Sequence, residues 1–208
     1  VGHTFFLDYK LDVSPAVLIP RQETEELVAM IIANEKENRG LKILDIGTGS
    51  GCIPIALSSE LDCKEVIGLD VSNDALEVAK ANAQTNKSSV EFRNLDILSE
   101  EIPKSTFDII VSNPPYVLES DKKAMDKNVL NYEPGLALFV PDDSPLKFYI
   151  AIAEKSLAAL VEGGRLYFEI HEKFGRKIKS LMEQMGYLKV EIHQDIFLEK
   201  DRMVSGIK

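Results

Sequence analysis

Four residues after an apolar segment carry the clearest chemical signal in this chain. Asn113-Pro114-Pro115-Tyr116 directly follows Phe107–Ser112, which has the composition of a β-strand. Two consecutive prolines fix φ twice and remove two backbone donors, so the turn is stiff. The Asn113 side-chain oxygen and the Pro114 carbonyl can then accept both N–H bonds of an –NH2 group. The alternative for this tetrapeptide alone is an ordinary turn at the end of a strand.

A glycine-rich turn follows an earlier apolar segment that ends in Asp45-Ile46. Its residues are Gly47, Thr48, Gly49, Ser50 and Gly51. Glycines beyond the carboxyl end of a strand allow the backbone to approach a ligand closely. The spacing Gly-x-Gly-x-Gly after an aspartate is typical of S-adenosylmethionine-dependent methyltransferases, whereas Gly-x-Gly-x-x-Gly seats a pyrophosphate. A tight connection without a ligand is the alternative.

Two further acidic residues follow the next two predicted strands. Asp70 is placed to accept both hydrogen bonds of a ribose diol. Asp96, or the neighbouring backbone of Leu95 and Ile97, is predicted to face the edge of an adenine. The alternative for Asp96 is the cap of a helix or turn. These positions strengthen the prediction of a nucleoside-containing cofactor.

Apolar periodicity predicts an α/β fold in which strands and helices alternate. The predicted helices are 22–36, 52–59, 73–85, 145–160 and 174–185. The predicted strands are 42–46, 65–70, 90–94, 107–112, 165–170, 188–194 and 202–207. Residues 4–13 predict a strand or hairpin, 117–144 a long polar connection, and Gly163-Gly164 a turn. The pattern favours a parallel sheet with helices on both faces and an antiparallel pair at one edge.

Composition restricts the kinds of partner. The 208 residues carry a formal net charge of −10, which argues against a nucleic acid held by lysine and arginine. No apolar stretch is long enough to predict a membrane span. The two cysteines and three histidines form no metal-ligand pattern, so no metal site is predicted.

Together these motifs resemble the peptide chain release factor N5-glutamine methyltransferase family (HemK/PrmC). The upstream segment from Ile19 to Glu25 and the downstream Tyr132-Glu133-Pro134 add to the resemblance, which covers nearly the whole chain. It implies a class I S-adenosylmethionine-dependent methyltransferase, Rossmann-like, with a mostly parallel seven-stranded sheet and an antiparallel edge strand. The implied catalytic residues are Asn113, Pro114, Pro115 and Tyr116. The implied residues for S-adenosyl-L-methionine are Thr24, Gly47, Thr48, Gly49, Ser50, Gly51, Asp70, Asp96, Ile97 and Asn113.

The resemblance also predicts the domain organisation. Residues 1–40 are expected to form a hairpin and helix leading into a methyltransferase domain at 41–208. Because the chain begins at Val1 without a methionine, the family's N-terminal helical substrate-docking domain is expected to be missing. Three departures from the family pattern are Gln22 in place of proline, His171 in place of glycine, and a loop at 195–201 that lacks glycine.

The implied reaction is methyl transfer to the side-chain amide nitrogen of a glutamine in release factors. Tyr116 is predicted to line the wall of the pocket and pack on the flat amide, and the alternative is a core tyrosine. Arg21 is predicted either to contact the substrate or cofactor carboxylate or to form a structural salt bridge. The enzyme is expected to be monomeric and cytoplasmic. The alternatives are a nucleic-acid amino-methyltransferase acting on adenine N6 or guanine N2, and a cofactor-binding module without catalysis.

Overall fold

The computed structural model describes residues 2–104, 106–125, 133–196 and 198–208. A seven-stranded sheet forms the centre of this part of the chain. Its strands are β3 (Leu41–Ile46), β4 (Cys63–Asp70), β5 (Glu91–Asn94), β6 (Phe107–Ser112), β9 (Leu160–Glu169), β10 (Leu188–Gln194) and β11 (Asp201–Ile207). They lie in the order β10-β11-β9-β6-β3-β4-β5 across the sheet. The antiparallel strand is β11, which lies between β9 and the edge strand β10, and the other neighbouring pairs are parallel.

Helices cover both faces of this sheet, as predicted. They are α1 (Gln22–Glu35), α2 (Cys52–Glu60), α3 (Asn73–Thr85), α4 (Gly135–Leu138), α5 (Lys147–Ala159) and α6 (Gly175–Met185). Because side chains alternate along a strand, Ile43 and Ile109 pack on the side of α1 and α2, while Leu44 and Ile110 pack on the side of α5 and α6. Within the described ranges, no helix is both long enough and apolar enough to cross a bilayer.

The first residues form a hairpin that packs on the same core as the sheet. Its strands are β1 (His3–Phe6) and β2 (Tyr9–Asp12), and its buried Phe6 and Leu11 lie in the cluster of α1 and α2. Asn82 of α3 is fully buried and binds Asp12 twice, accepting from its backbone N–H at 2.7 Å and donating to its carbonyl at 3.0 Å. The same amide donates to the carbonyl of Ser50 at 2.9 Å. The hairpin and the glycine-rich turn therefore share one anchor.

The region predicted as a long polar connection contains short regular elements. A two-residue strand, β7 (Val117–Leu118), pairs in parallel with β8 (Phe139–Val140). A 3-10 helix spans Glu119–Ala124, and α4 precedes β8. Elements of two to six residues leave little periodicity, which is why the sequence pattern did not reveal them.

The turn predicted at Gly163-Gly164 is wrong, because β9 begins at Leu160 and runs through both glycines. Gly163 has φ +78°, and a Cβ on Gly164 would lie 2.9 Å from the carbonyl oxygen of Val161. The register with β6 shifts at this point. The two glycines therefore allow an irregularity within a strand, a position where glycine is common.

Candidate active site

A cavity opens at the carboxyl ends of β3, β4 and β6. Most of the predicted site residues line it. They are Thr24, Gly47, Thr48, Gly49, Ser50, Asp70, Asp96, Ile97, Asn113, Pro114 and Pro115. Gly51 and Tyr116 lie beside the cavity and do not contribute to its lining. Motifs from distant parts of the sequence meet here because parallel strands end at the same edge of the sheet.

The glycine-rich turn is held by backbone hydrogen bonds to β4. The amides of Gly47 and Thr48 both donate to the carbonyl of Leu69, at 2.8 and 2.9 Å. Gly47, Gly49 and Gly51 have φ values of +78°, +52° and +81°, which glycine adopts far more readily than other residues. The turn therefore presents backbone rather than side chains towards the cavity.

Gly51 and Gly49 have different surroundings. A Cβ on Gly51 would lie 3.2 to 3.3 Å from side chains of Ile55, Ala79 and Phe92, whereas a Cβ on Gly49 would meet no atom within 4 Å. Gly51 therefore permits close packing between α2 and α3.

We expect Gly51→Ala to lower the free energy of unfolding more than Gly49→Ala, as measured by urea denaturation. Both variants carry the strain of a left-handed residue, about 1–2 kcal/mol. Only Gly51→Ala adds overpacking, typically about 1–3 kcal/mol. Equal destabilisation of the two variants would show that the side chains around position 51 accommodate the added methyl group at no cost in the free energy of unfolding.

Buried polar groups lie under the turn. The hydroxyls of Thr48 and Ser50 and both carboxylate oxygens of Asp45 are buried and meet no hydrogen-bond partner of standard geometry in the described part of the chain. Buried polar groups normally have partners. The Thr48 hydroxyl lies close enough to the Asp45 carboxyl to lower its pKa, so these groups act on one another beneath the turn. The cavity itself is lined by the backbone of the glycine-rich turn together with Asp70 and Asn113, a set of donors and acceptors that suits the amino acid moiety and the nucleoside of S-adenosyl-L-methionine.

Asp45 should make stability depend on pH. Burial raises the pKa of Asp45 to about 7, and the neighbouring Asp70 adds to the rise. A raised carboxyl pKa means that the folded chain keeps a proton that the unfolded chain has already released. The resulting stabilisation is complete below the unfolded pKa and is lost as pH rises towards 7.

We therefore expect the stability of Asp45→Asn, relative to the parent, to increase between pH 4 and pH 7. The expected slope is about 1 kcal/mol per pH unit. Urea denaturation of both proteins across this range measures the difference and cancels titrations that they share. A constant difference would show that Asp45 titrates normally.

The two acidic residues after β4 and β5 differ in the freedom of their carboxylates. Asp70 accepts from the amides of Gly49 and Ser72, both at 2.9 Å, and burial raises its pKa. A carboxylate has further acceptor positions, so Asp70 can still bind a diol.

Asp96 accepts from the Leu98 amide and the Ser99 hydroxyl, both at 2.9 Å. Asp96 thus caps a turn, which favours the backbone beside Ile97 for contact with an adenine.

Asn113, Pro114 and Pro115 form a turn, the Asn113 corner, that adjoins the glycine-rich turn. A Cβ on Gly47 would lie 4.0 Å from the Asn113 carbonyl oxygen. The Asn113 side-chain nitrogen Nδ2 donates to Thr24 Oγ1 at 3.3 Å, and no described residue donates to its Oδ1. The amide oxygen is therefore left to accept a hydrogen bond from a ligand.

Comparison with known proteins identifies the family. Residues 21–131 match the family model described as Methyltransferase small domain. A release factor glutamine methyltransferase from Bacteroides thetaiotaomicron is 45% identical over 206 residues, covering 99% of this chain and 73% of that protein. A protein of the same name from Lactococcus lactis is 47% identical over 206 residues, covering 99% and 74%. The chain belongs to the release factor glutamine methyltransferase family.

A solved structure supports the fold. The crystal structure of a methyltransferase from Pyrococcus furiosus matches with a TM-score of 0.70 at 19% identity, covering 97% of this chain and 90% of that one. The predicted family, the class I fold and the methyltransferase class are therefore confirmed, and with them the predicted cofactor, S-adenosyl-L-methionine.

Tyr116, the last residue of the Asn-Pro-Pro-Tyr motif, is held beside the cavity by its hydroxyl group. Its hydroxyl donates to Glu169 Oε1 at 3.0 Å, and its ring lies edge-on to His171 with the centroids 6.1 Å apart. Burial and the Glu169 carboxylate raise the pKa of Tyr116 well above its usual value. The structure thus fixes the Tyr116 side chain against Glu169 and His171, and its packing on a substrate amide stays a prediction.

The upstream and downstream motifs meet through an ion pair. Arg21 Nη2 lies 2.5 Å from Glu133 Oε1, and the Glu133 side chain is only 3% exposed. This contact agrees with the structural salt bridge considered for Arg21. Tyr132, the first residue of the downstream motif, lies outside the described residues.

The three departures from the family pattern occupy different environments. Gln22 is exposed at the first position of α1, and His171 packs on Tyr116. In the glycine-free loop, Glu199 adopts φ +52°. The Asp195 carboxylate accepts from the amides of Leu198 and Lys200, so side-chain hydrogen bonds support this loop.

Several lining residues were missed by the sequence analysis. Ala16, Val17 and Leu18 come from the segment between the hairpin and α1, and Phe148 and Ile152 come from α5. Their apolar pattern resembles that of core residues, so no signal marked them. Glu169 was also missed, although its position at the end of a strand could have indicated it.

Proposed function

We propose that this chain transfers the methyl group of S-adenosyl-L-methionine to the side-chain amide nitrogen of a glutamine in peptide chain release factors. The observation that carries the proposal is the Asn113 corner. Its amide nitrogen is committed to Thr24, and its oxygen remains available beside the cavity of the glycine-rich turn. The two relatives from Bacteroides thetaiotaomicron and Lactococcus lactis are named release factor glutamine methyltransferases, which supports a release factor glutamine as the acceptor.

The corner addresses the chemical difficulty of this reaction. An amide nitrogen is a poor nucleophile because its lone pair is delocalised into the carbonyl. Asn113 Oδ1 and the Pro114 carbonyl would accept its two N–H bonds, direct the lone pair towards the methyl group, and stabilise the positive charge that develops on nitrogen. Interactions that strengthen in the transition state raise the rate, and the stiff Pro-Pro turn supplies positioning.

When bound, the cofactor supplies an activated methyl group on a sulfonium and becomes S-adenosyl-L-homocysteine, and the methylated amide nitrogen releases its extra proton to water. Gly47, Thr48, Gly49 and Ser50 would hold its amino acid moiety. Asp70 would bind the ribose hydroxyls, and the backbone at Ile97 would face the adenine.

The proposed enzyme acts on protein rather than nucleic acid, since a net charge of −10 opposes binding to polyphosphate. We also propose that it acts as a monomer, because one chain supplies both the glycine-rich turn and the Asn113 corner. Release factors act in translation, so the reaction belongs in the cytoplasm.

Parallel incubation of the chain with tritium-labelled S-adenosyl-L-methionine and a release factor, DNA or RNA tests the proposal. We expect label on the release factor, at a glutamine identified by mass spectrometry. Label on nucleic acid would favour the amino-methyltransferase alternative. Cofactor binding with no transfer to any acceptor would favour the non-catalytic alternative.

A further inference from the structure

We infer that Glu169 is a positioning residue that fixes the orientation of the Asn113 side-chain amide through the hydroxyl of Thr24. Thr24 Oγ1 donates to Glu169 Oε2 at 2.6 Å and accepts from Asn113 Nδ2 at 3.3 Å. Tyr116 occupies the other carboxylate oxygen. The inference rests on the proposed function, because Asn113 is the residue that would bind the glutamine.

The fold brings these groups together from three elements. Ser112 and Phe168 are register partners on β6 and β9, so Asn113 and Glu169 follow neighbouring strand positions. Thr24 lies in the first turn of α1. Thr24 is 2% exposed and Glu169 is 1% exposed, so water competes little for these hydrogen bonds.

The charge of Glu169 determines the direction of each hydrogen bond. An ionised carboxylate can only accept, and a threonine hydroxyl has one proton. When that proton is given to Glu169, the Thr24 oxygen can only accept from Asn113. The NH2 side of the Asn113 amide then faces Thr24, which leaves its oxygen for the substrate.

A neutral group at this position removes the constraint. A glutamine side chain or a protonated carboxyl can donate to Thr24, whose own proton can then go to Asn113 Oδ1. The Asn113 amide would turn over and present its NH2 group to the NH2 group of the substrate. Two donors cannot form a hydrogen bond, so this orientation fails to bind the acceptor nitrogen.

Several charged or titratable groups act on Glu169. Burial raises its pKa to about 7, the hydroxyls of Thr24 and Tyr116 and the charge of Arg202 lower it, and Glu23 raises it. Two groups on other elements also face Glu169. The Tyr149 hydroxyl donates to the backbone carbonyl of Glu169 at 3.2 Å. The Cys52 thiol, whose pKa is raised mainly by burial, lies close enough for the charge of Glu169 to raise that pKa further. The ionised form is the active one, so activity should fall as pH decreases through this pKa.

The first experiment compares Glu169→Gln with Glu35→Gln. Glu35 is also a buried carboxylate bound by a tyrosine hydroxyl, Tyr167 at 2.9 Å. Glu35 lies eleven residues along α1 from Thr24, about 16 Å by helix rise.

We expect Glu169→Gln to lower kcat about 10- to 100-fold, with little change in the KM for S-adenosyl-L-methionine. The fall in activity at acidic pH, the acidic limb of the pH profile, should also disappear in this variant. Glu35→Gln should keep that limb. The inference is overturned if Glu169→Gln retains the parental kcat and pH profile.

Thr24 variants separate positioning from packing. Thr24→Ser keeps the hydroxyl and should retain activity within a few-fold, whereas Thr24→Val keeps the shape and should lose activity to the level of Glu169→Gln. Equal activity of the serine and valine variants contradicts the role of the hydroxyl.

A measurement without acceptor distinguishes failure of this inference from failure of the proposed function. In the 15N-labelled chain, the Asn113 side-chain NH2 signals should shift with pH at the same midpoint as Glu169, and the shift should vanish in Glu169→Gln. A flat Asn113 signal overturns the inference whether or not the chain is active. A titrating signal, in a chain that methylates no acceptor, supports the inference and rejects only the proposed function.

Discussion

Asn113→Ala should lower the rate of methyl transfer to a release factor about 30- to 1000-fold, which corresponds to about 2–4 kcal/mol of lost transition-state stabilisation. The substitution removes the only side-chain oxygen of the corner, while Pro114 and Pro115 keep the backbone turn. Single-turnover rates with labelled cofactor measure the loss.

Asn38→Ala is the matched control, because Asn38 is exposed and its amide donates to Glu35 at the other end of α1. This control should keep the parental rate. The affinity of Asn113→Ala for S-adenosyl-L-homocysteine should change far less than its rate. A parental transfer rate in Asn113→Ala would refute the proposed hydrogen bond between Asn113 Oδ1 and the acceptor amide.

Asp70→Ala should weaken cofactor binding about 100-fold. The carboxylate holds the amides of Gly49 and Ser72 and is the proposed partner of the ribose. Hydrogen bonds to charged groups contribute about 1.5–3 kcal/mol each. The substitution removes the bonds that position the Gly49 and Ser72 amides and the proposed bonds to the ribose, so an effect of this size is expected. Isothermal titration with S-adenosyl-L-homocysteine measures the dissociation constant.

Asp74→Ala is the control for this change, since Asp74 is an exposed aspartate in the first turn of α3. It removes the same charge close to the cavity and should leave the affinity nearly unchanged. If both variants lost affinity equally, general electrostatics rather than a specific contact would explain the role of Asp70.

The positions of the motifs at strand ends could be predicted from the sequence. Strands β3, β4 and β6 are apolar segments bounded by turn residues, and parallel strands end at one edge of a sheet. The Gly47 turn, Asp70 and Asn113 therefore had to lie near one another. The predicted helices and strands are present in the structure, most with boundaries within about two residues of the prediction.

Side-chain partners could not be predicted in the same way. Thr24 and Glu169 are 145 positions apart in sequence, and neither belongs to a periodic pattern that indicates a contact. The Tyr116 hydroxyl also binds this carboxylate, a partner that the sequence pattern did not indicate. Gly163-Gly164 has the composition of a turn, and only pairing with β6 makes it part of a strand.

The double attachment of Asn82 has a consequence for how the enzyme would tolerate change near its amino terminus. The carbonyl of Ser50 and the backbone of Asp12 bind one side chain, so fraying of the hairpin would loosen the loop that is proposed to hold the methyl donor. The hairpin also leads into Ala16, Val17 and Leu18, which line one side of the same cavity. We therefore expect truncation of these amino-terminal residues to weaken ligand binding before it destabilises the sheet.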